Sequence, residues 1–176
     1  MNLSEPSRVR RLVVARHAEA ASAAATDHDR DLTDDGRAAA ASLGEWLRHE
    51  GHVPDRALLS DARRTQRTWE EAAAAGDLLD VPVDLSPALY GAGPESALDL
   101  VRATDPDVRT LVVVGHNPTI ASLAHLLHDG RGSERAAVRM AQGHPTAAVT
   151  VLVTPVAWAD LDWGAARLLD FHVARP

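Results

Sequence analysis

Apolar positions along this chain fall into two patterns. Unbroken runs of small or β-branched residues at 12–15, 57–59 and 111–114 are too short for helices and show no polar alternation, so they predict strands buried on both faces. Between them, Ala39, Leu43, Trp46 and Leu47 recur at helical spacing, as do Trp69, Ala72, Ala73, Gly76 and Leu79, and then Ile120, Leu123, Ala124 and Leu127. Each set predicts an amphipathic helix packed on the sheet, with Trp46 in the core. Thr33 with Asp34 and Asp35 marks the start of the first of these helices, and Asn117 followed by Pro118 marks the start of the last.

Weaker patterns fill the intervals. Residues 81–85 read as an edge strand, 89–94 as a glycine-rich turn, and 95–103 as a helix. Residues 147–153 and 167–173 read as two strands paired antiparallel in a hairpin, with Trp158 and Trp163 covering apolar surface at its turn. The stretches 20–31 and 130–143 read as polar loops, and the first eight residues as a loose tail.

The strand ends carry the candidate chemistry, because open α/β sheets place ligands at the carboxyl ends of their strands. The first run ends in Arg16-His17, and the strand at 110–115 ends in His116. The strand at 57–60 opens into a helix start holding Arg63, Arg64 and Arg67. Arginines at a helix N-terminus are disfavoured by the dipole unless an anion compensates, and guanidinium groups beside free backbone N–H groups suit a phosphate. Arg30 is an accessory candidate for the same anion. The aspartates around it, Asp27, Asp29 and Asp31, do not form a calcium loop, since Leu32 and Ala38 stand where glycine and glutamate are needed. His28, His49, His52, His125, His128, His144 and His172 show no partner pattern.

Composition narrows the reading. A chain of 176 residues, 45% hydrophobic, is sized for a single domain spanning 1–176. A net charge of -7 opposes a general role on nucleic acid or anionic membrane. The absence of cysteine removes disulfides, thiolate catalysis and cysteine-based metal sites. No run of 18 apolar residues and no signal-like start are present, so a cytoplasmic protein is expected.

Arg16-His17, Leu32-Thr33 with Gly36, Ser60 with Arg64 and Thr68, and Gly115-His116-Asn117-Pro118 occur in an order that resembles the histidine phosphatase superfamily, also called phosphoglycerate mutase-like. Asp29-Arg30, Leu32-Thr33 and Leu89-Tyr90 further resemble its compact SixA-type phosphohistidine phosphatases. The resemblance implies a three-layer α/β/α sandwich around a mostly parallel sheet, with the C-terminal hairpin antiparallel. It implies phosphorylation of His17 during turnover and no metal or cofactor. The substrate-binding set is then Arg16, Arg64, His116 and Asn117, with Arg30 at its margin, and the catalytic set is His17, Arg16, Arg64 and His116. The arginines should lower the His17 pKa and keep its lone pair available.

One departure bears on substrate. Many relatives carry a glutamate proton donor between the second arginine and the second histidine, where this chain reads Leu89-Tyr90-Gly91. Glu19 and Glu95 are the candidate substitutes. Without a strong acid, departure of imidazole, with a pKa of about 6.5, is favoured over departure of an alkoxide. The expected partner is therefore a phosphorylated protein carrying phosphohistidine. A small phosphate ester handled by a phosphatase or mutase is the alternative, and a phosphoprotein-binding module without catalysis is a third reading.

Overall fold

A computed structural model describes residues 9–176, so the tail expected over residues 1–8 lies outside the described residues. Seven strands form one sheet: β1 (Arg10–Arg16), β2 (Arg56–Ser60), β3 (Val83–Ser86), β4 (Thr110–Gly115), β5 (His128–Gly132), β6 (Ala148–Thr154) and β7 (Ala166–Val173). Their spatial order is β3-β2-β4-β1-β6-β7-β5. β1 pairs in parallel with β4, β4 with β2, β2 with β3, and β5 with β7, while β1/β6 and β6/β7 are antiparallel.

Helices cover both faces, giving the expected three layers. α1 (Asp34–His49) and α2 (Arg63–Ala75) lie on one side, where Ala39, Leu43, Trp69 and Ala73 pack against Val13, Ala15, Val112 and Val114. The other side carries α4 (Pro94–Arg102), α5 (Thr119–Leu127) and α6 (Glu134–Ala141), where Leu98, Ile120, Leu123 and Met140 pack against Leu12, Val14, Leu111 and Val113. A central strand needs apolar residues at both parities, which is why its sequence runs unbroken.

Several expected elements differ in detail. Residues 130–143, read as a polar loop, instead continue β5 and then form α6, which is capped by the Ser133 hydroxyl accepting from the Ala136 N–H. Only Ala136 and Met140 of α6 are buried, too sparse a stripe to stand out in sequence. α2 ends at Ala75, so Leu79 is exposed and Leu78 takes the buried place. Part of the turn at 89–94 is a short helix, α3 (Pro87–Tyr90). Pro118, rather than Asn117, caps α5, because the Asn117 side chain is drawn to another strand end. Trp46, expected in the core, is only partly buried and stacks on His172 at 4.7 Å between ring centroids.

Two glycines bring α1 and α2 into contact. A Cβ placed on Gly44 would lie 1.8 Å from the Ala72 carbonyl oxygen, and one on Gly76 would lie 2.5 Å from the Gly44 carbonyl oxygen. This contact sets the sign of a substitution. Gly44→Ala gains about 1 kcal/mol in helix propensity, but backbone overpacking costs about 1–3 kcal/mol or more. The variant should unfold at lower urea concentration than the parent, and a higher midpoint would mean that the helices are not packed through Gly44.

Candidate active site

The register Arg16↔Gly115 in the β1/β4 ladder places the residues after the two strands side by side. The imidazoles of His17 and His116 lie 5.4 Å apart between centroids. β1 and β4 are also where connections leave in opposite directions, from β1 toward β2 on one side and from β4 toward β5 on the other, so the carboxyl ends of these two strands are the expected ligand position.

The backbone around His17 is held from three sides. Its N–H donates to the Gly115 carbonyl at 3.0 Å, its carbonyl accepts from the Ala147 N–H at 3.1 Å, and the next N–H, of Ala18, donates to the Thr68 hydroxyl at 2.9 Å. Thr68 in turn donates to the Arg64 carbonyl at 2.7 Å, which ties the strand tip to α2. His17 is 7% exposed and its Nδ1 lies 2.7 Å from the Ala18 carbonyl oxygen. A carbonyl oxygen only accepts, so the proton sits on Nδ1 and the lone pair on Nε2.

His116 is oriented the same way by a different partner. Its Nε2 lies 2.8 Å from the Ser60 hydroxyl, which also accepts from the Ala62 N–H at 3.4 Å. A hydroxyl can donate to Nε2, and in that tautomer Nδ1 of His116 carries the proton; that buried atom has no hydrogen-bond partner among the described residues. Nε of Arg16 and Nε of Arg64 are likewise buried without partners. In that tautomer the three atoms are unsatisfied N–H donors, a costly arrangement that an anion bound to them would relieve.

The arginines are anchored mainly through backbone carbonyls. Arg16 donates to the His144 carbonyl at 3.0 Å, an acceptor it shares with the Asn117 amide at 2.8 Å. Arg64, buried at 6% exposure, donates to the Asp27 carbonyl at 2.7 Å and to the Asp27 carboxylate at 3.1 Å. Of the three arginines at the start of α2, only Arg64 turns inward, since Arg63 pairs with Asp31 and Arg67 with Glu70.

The remaining candidates are tied elsewhere. Arg30 donates to the Ala21 carbonyl and to the Asp27 carboxylate, so it reaches the site through Asp27. The Glu19 carboxylate accepts from the Thr33 hydroxyl at 2.8 Å, at the cap of α1, and the Glu95 carboxylate accepts from the Trp163 indole at 3.0 Å. Neither candidate proton donor is bonded to the histidine pair. Among the described residues no group of three or more His, Cys, Asp or Glu is placed to hold a metal ion. No helix among them is long and apolar enough to cross a membrane.

Sequence reasoning assigned no site role to four residues that the structure brings here. Asp27 sits against Arg64, Tyr90 donates its hydroxyl to Asp27 at 2.7 Å, and the Tyr90 ring stands edge-on to His116 at 5.5 Å. Ser60 bonds Nε2 of His116, and His144 lends its carbonyl to Arg16 and Asn117 while its own ring is buried against Thr150 and Phe171. Thr68 and Ser60 were visible as members of an ordered motif. His144 gave no signal, because its contribution is a main-chain oxygen.

Burial dominates the electrostatics. Desolvation pushes His17 down to about 3, with smaller contributions from His116, Arg64 and Arg16, against which the Ala18 hydrogen bond acts. The arginines therefore act in the expected direction but are not the main cause. His116 and His144 are each lowered to about 4, again chiefly by burial. Asp27 is held down to about 2, first by the Tyr90 hydroxyl and then by Arg64 and Arg30.

Comparisons with known proteins point to one family. The sequence model of the family described as histidine phosphatase superfamily (branch 1) matches residues 12–90. An uncharacterised protein of Mycobacterium tuberculosis is 36% identical over 150 residues, covering 85% of this chain and 92% of that protein. The phosphohistidine phosphatase SixA of Escherichia coli K12 is 30% identical over 121 residues, covering 66% of this chain and 73% of that protein. A solved structure of a candidate phosphohistidine phosphatase SixA from Nakamurella multipartitia superposes with a TM-score of 0.79 at 32% identity, over 97% of this chain and 99% of that one.

The lowered histidine pKa values have a stability consequence. His17, ordinarily near 6.5, is held near 3 in the fold, so the unfolded chain binds more protons between those values and stability falls as pH drops from about 6.5 toward 3. Urea midpoints should decline between pH 6.5 and 5, before carboxylates titrate, and nitrogen NMR at pH 6 should show His17 neutral with its proton on Nδ1. A protonated His17 imidazolium at pH 6 would contradict the geometry.

Proposed function

The chain belongs to the histidine phosphatase superfamily and is a phosphatase, and from that premise we propose that it acts through a covalent phosphohistidine on His17, with phosphohistidine on a protein as its favoured substrate. The observation that carries the proposal is the bond from Nδ1 of His17 to the Ala18 carbonyl, which leaves Nε2 unprotonated and free to attack. In the first step the Nε2 lone pair forms a bond to phosphorus as the bond to the leaving group breaks, its electron pair departing with that group. In the second, water attacks the phosphorus, the Nε2–P bond breaks, and its pair returns to Nε2. Phosphate and one proton are released.

Arg16, Arg64 and the Nδ1 proton of His116 are the proposed ligands of the three equatorial phosphoryl oxygens. Phosphoryl transfer depends chiefly on such positioning and charge stabilisation, and donors already fixed by protein contacts need no reorganisation as the charge spreads. Asn117 contributes by sharing the His144 carbonyl with Arg16, which holds that arginine in place.

Substrate choice follows from the acids. The carboxylate bonded to the site belongs to Asp27, and at a pKa of about 2 it holds no proton to give near neutral pH. Glu19 and Glu95 are engaged at Thr33 and Trp163. A phosphorylated imidazole can depart without enzyme acid help, whereas an alkoxide cannot depart easily. The phosphohistidine phosphatase named among the relatives supports the same preference.

Two measurements test this. Purified protein exposed to a phosphohistidine peptide and quenched in base should carry acid-labile phosphate on His17 alone. His17→Ala should lose at least about 10³-fold in kcat/KM, and Arg64→Ala about 10²- to 10³-fold with the tautomer of His17 unchanged. Turnover by His17→Ala at a rate near the parent's, or label on another residue, would overturn the assignment. A sugar phosphate hydrolysed faster than the phosphohistidine peptide would transfer the reading to small metabolites.

A further inference from the structure

We propose that Asp27 selects nitrogen-bound phosphoryl groups, its carboxylate accepting the remaining ring N–H of a phosphorylated imidazole whose phosphoryl group rests on Arg64 and His116. This deepens the reading of His17 as nucleophile and rests on it.

The placement of the carboxylate carries the inference. One oxygen of Asp27 takes both the Tyr90 hydroxyl at 2.7 Å and an Arg64 N–H at 3.1 Å, and the other takes an Arg30 N–H at 3.0 Å. An ionised carboxylate offers about four acceptor positions, and three are filled, so the oxygen facing Arg30 retains one. The Arg64 side chain is 8% exposed and the Asp27 side chain 55%, which puts the carboxylate on the solvent side of the guanidinium. A phosphoryl group bound on Arg64 shares that guanidinium with the carboxylate, so its leaving group lies near Asp27.

The Asp27 loop is built to keep the carboxylate there. The Asp27 carbonyl takes a second Arg64 N–H at 2.7 Å, so the main chain and the side chain are fixed by the same guanidinium. Tyr90 reaches it from α3, lies over Arg64 with 5.9 Å between guanidinium carbon and ring centroid, and stands edge-on to His116. Arg64, Arg30 and Tyr90 all favour the ionised form, held near 2. Orienting Arg64 does not itself require a charge, since the Asp27 carbonyl also holds it, and a permanent negative charge beside a phosphate-binding arginine weakens anion binding. It becomes useful when the substrate brings a positive charge.

Phosphohistidine does so. Its ring is cationic when the nitrogen remote from phosphorus is protonated, and a carboxylate at that N–H favours this form. As Nε2 of His17 attacks, the N–P bond breaks and its electron pair returns to the ring, which leaves as neutral imidazole still carrying the remote proton. The enzyme donates no proton in the step. A phosphate ester with a carboxylate of its own meets repulsion at the same place.

The test compares kcat/KM for a phosphohistidine peptide and for phosphoglycerate in the parent, Asp27→Asn and Asp27→Ala. Removing the charge should lower the ratio of the first to the second by about 10-fold or more, the scale of a half-exposed charge-assisted hydrogen bond. The phosphohistidine value should fall more steeply than the phosphoglycerate value, which carries only the loss from a freed Arg64 guanidinium. If Asp27 only braces its loop, both substrates change by the same factor, and that result would overturn the proposal, as would a rise in the ratio. Acid-labile label on His17 of Asp27→Asn, formed from p-nitrophenyl phosphate, keeps the nucleophile assignment separate: with label present, an unchanged ratio counts against Asp27 alone. Absence of label in the parent would sink both.

Discussion

The backbone at the tip of β1 has almost no freedom, and the rest of the site depends on that. The N–H of His17 is committed to β4, its carbonyl to the segment entering β6, and the following N–H to α2. Held in this way, the side chain turns back on its own chain and finds the Ala18 carbonyl. Burial then removes the cationic form, and the hydrogen bond decides which nitrogen keeps the proton. Both results come from position, so a register shift of one residue along β1/β4, which would send these side chains to the opposite face, would remove them together.

A second consequence concerns charge. The chain is acidic overall at -7, yet its strand-end crevice holds two guanidinium groups. Arg16 is steered by a carbonyl, which orients the group without cancelling its charge. Arg64 is steered by a carbonyl and by one half-exposed carboxylate. Solvent screening makes that ion pair weak compared with a buried one, so most of the Arg64 charge remains available to an anion. The Nε atoms of both arginines are buried without a partner among the described residues, so their desolvation is an uncompensated cost.

The division between what could and could not be read from sequence has a physical origin. β1, β2 and β4 were legible because central strands demand unbroken apolar runs, and Arg16, His17, Arg64 and His116 because such strands end abruptly at polar residues. α6 was not, since it buries only Ala136 and Met140 and its register depends on the far edge pair β5/β7, made by residues distant in sequence. Leu79 misled because helical spacing continues past Gly76 although the helix stops at Ala75. In the site, Asp27 and Tyr90 lie 63 residues apart and meet only through tertiary structure, and the loop holding Asp27 has the composition of any solvated turn. His144 was illegible for a different reason. Any residue has a carbonyl, so a role carried by one leaves no mark on side-chain identity.

That last contact links the C-terminal hairpin to the chemistry. In a parallel sheet ending at β1, the outer side of the strand would be an open edge, and the tip carrying His17 would be held by β4 alone. β6 closes that edge in the antiparallel sense, and the approach to it, residues 143–147, supplies the Ala147 N–H to the His17 carbonyl and the His144 carbonyl to Arg16 and Asn117. The approach is itself fixed from beneath, because the His144 ring bonds the Thr150 hydroxyl at 3.0 Å and meets Phe171 of β7 edge-on at 5.2 Å. β6 and β7 thus transmit packing in the hairpin to the position of an arginine 128 residues earlier in the chain. The proposed phosphate ligands are held from the two halves of the sheet at once: Arg64 and His116 from the β2/β4 side, and Arg16 from the β6 side, with His17 on the strand between them.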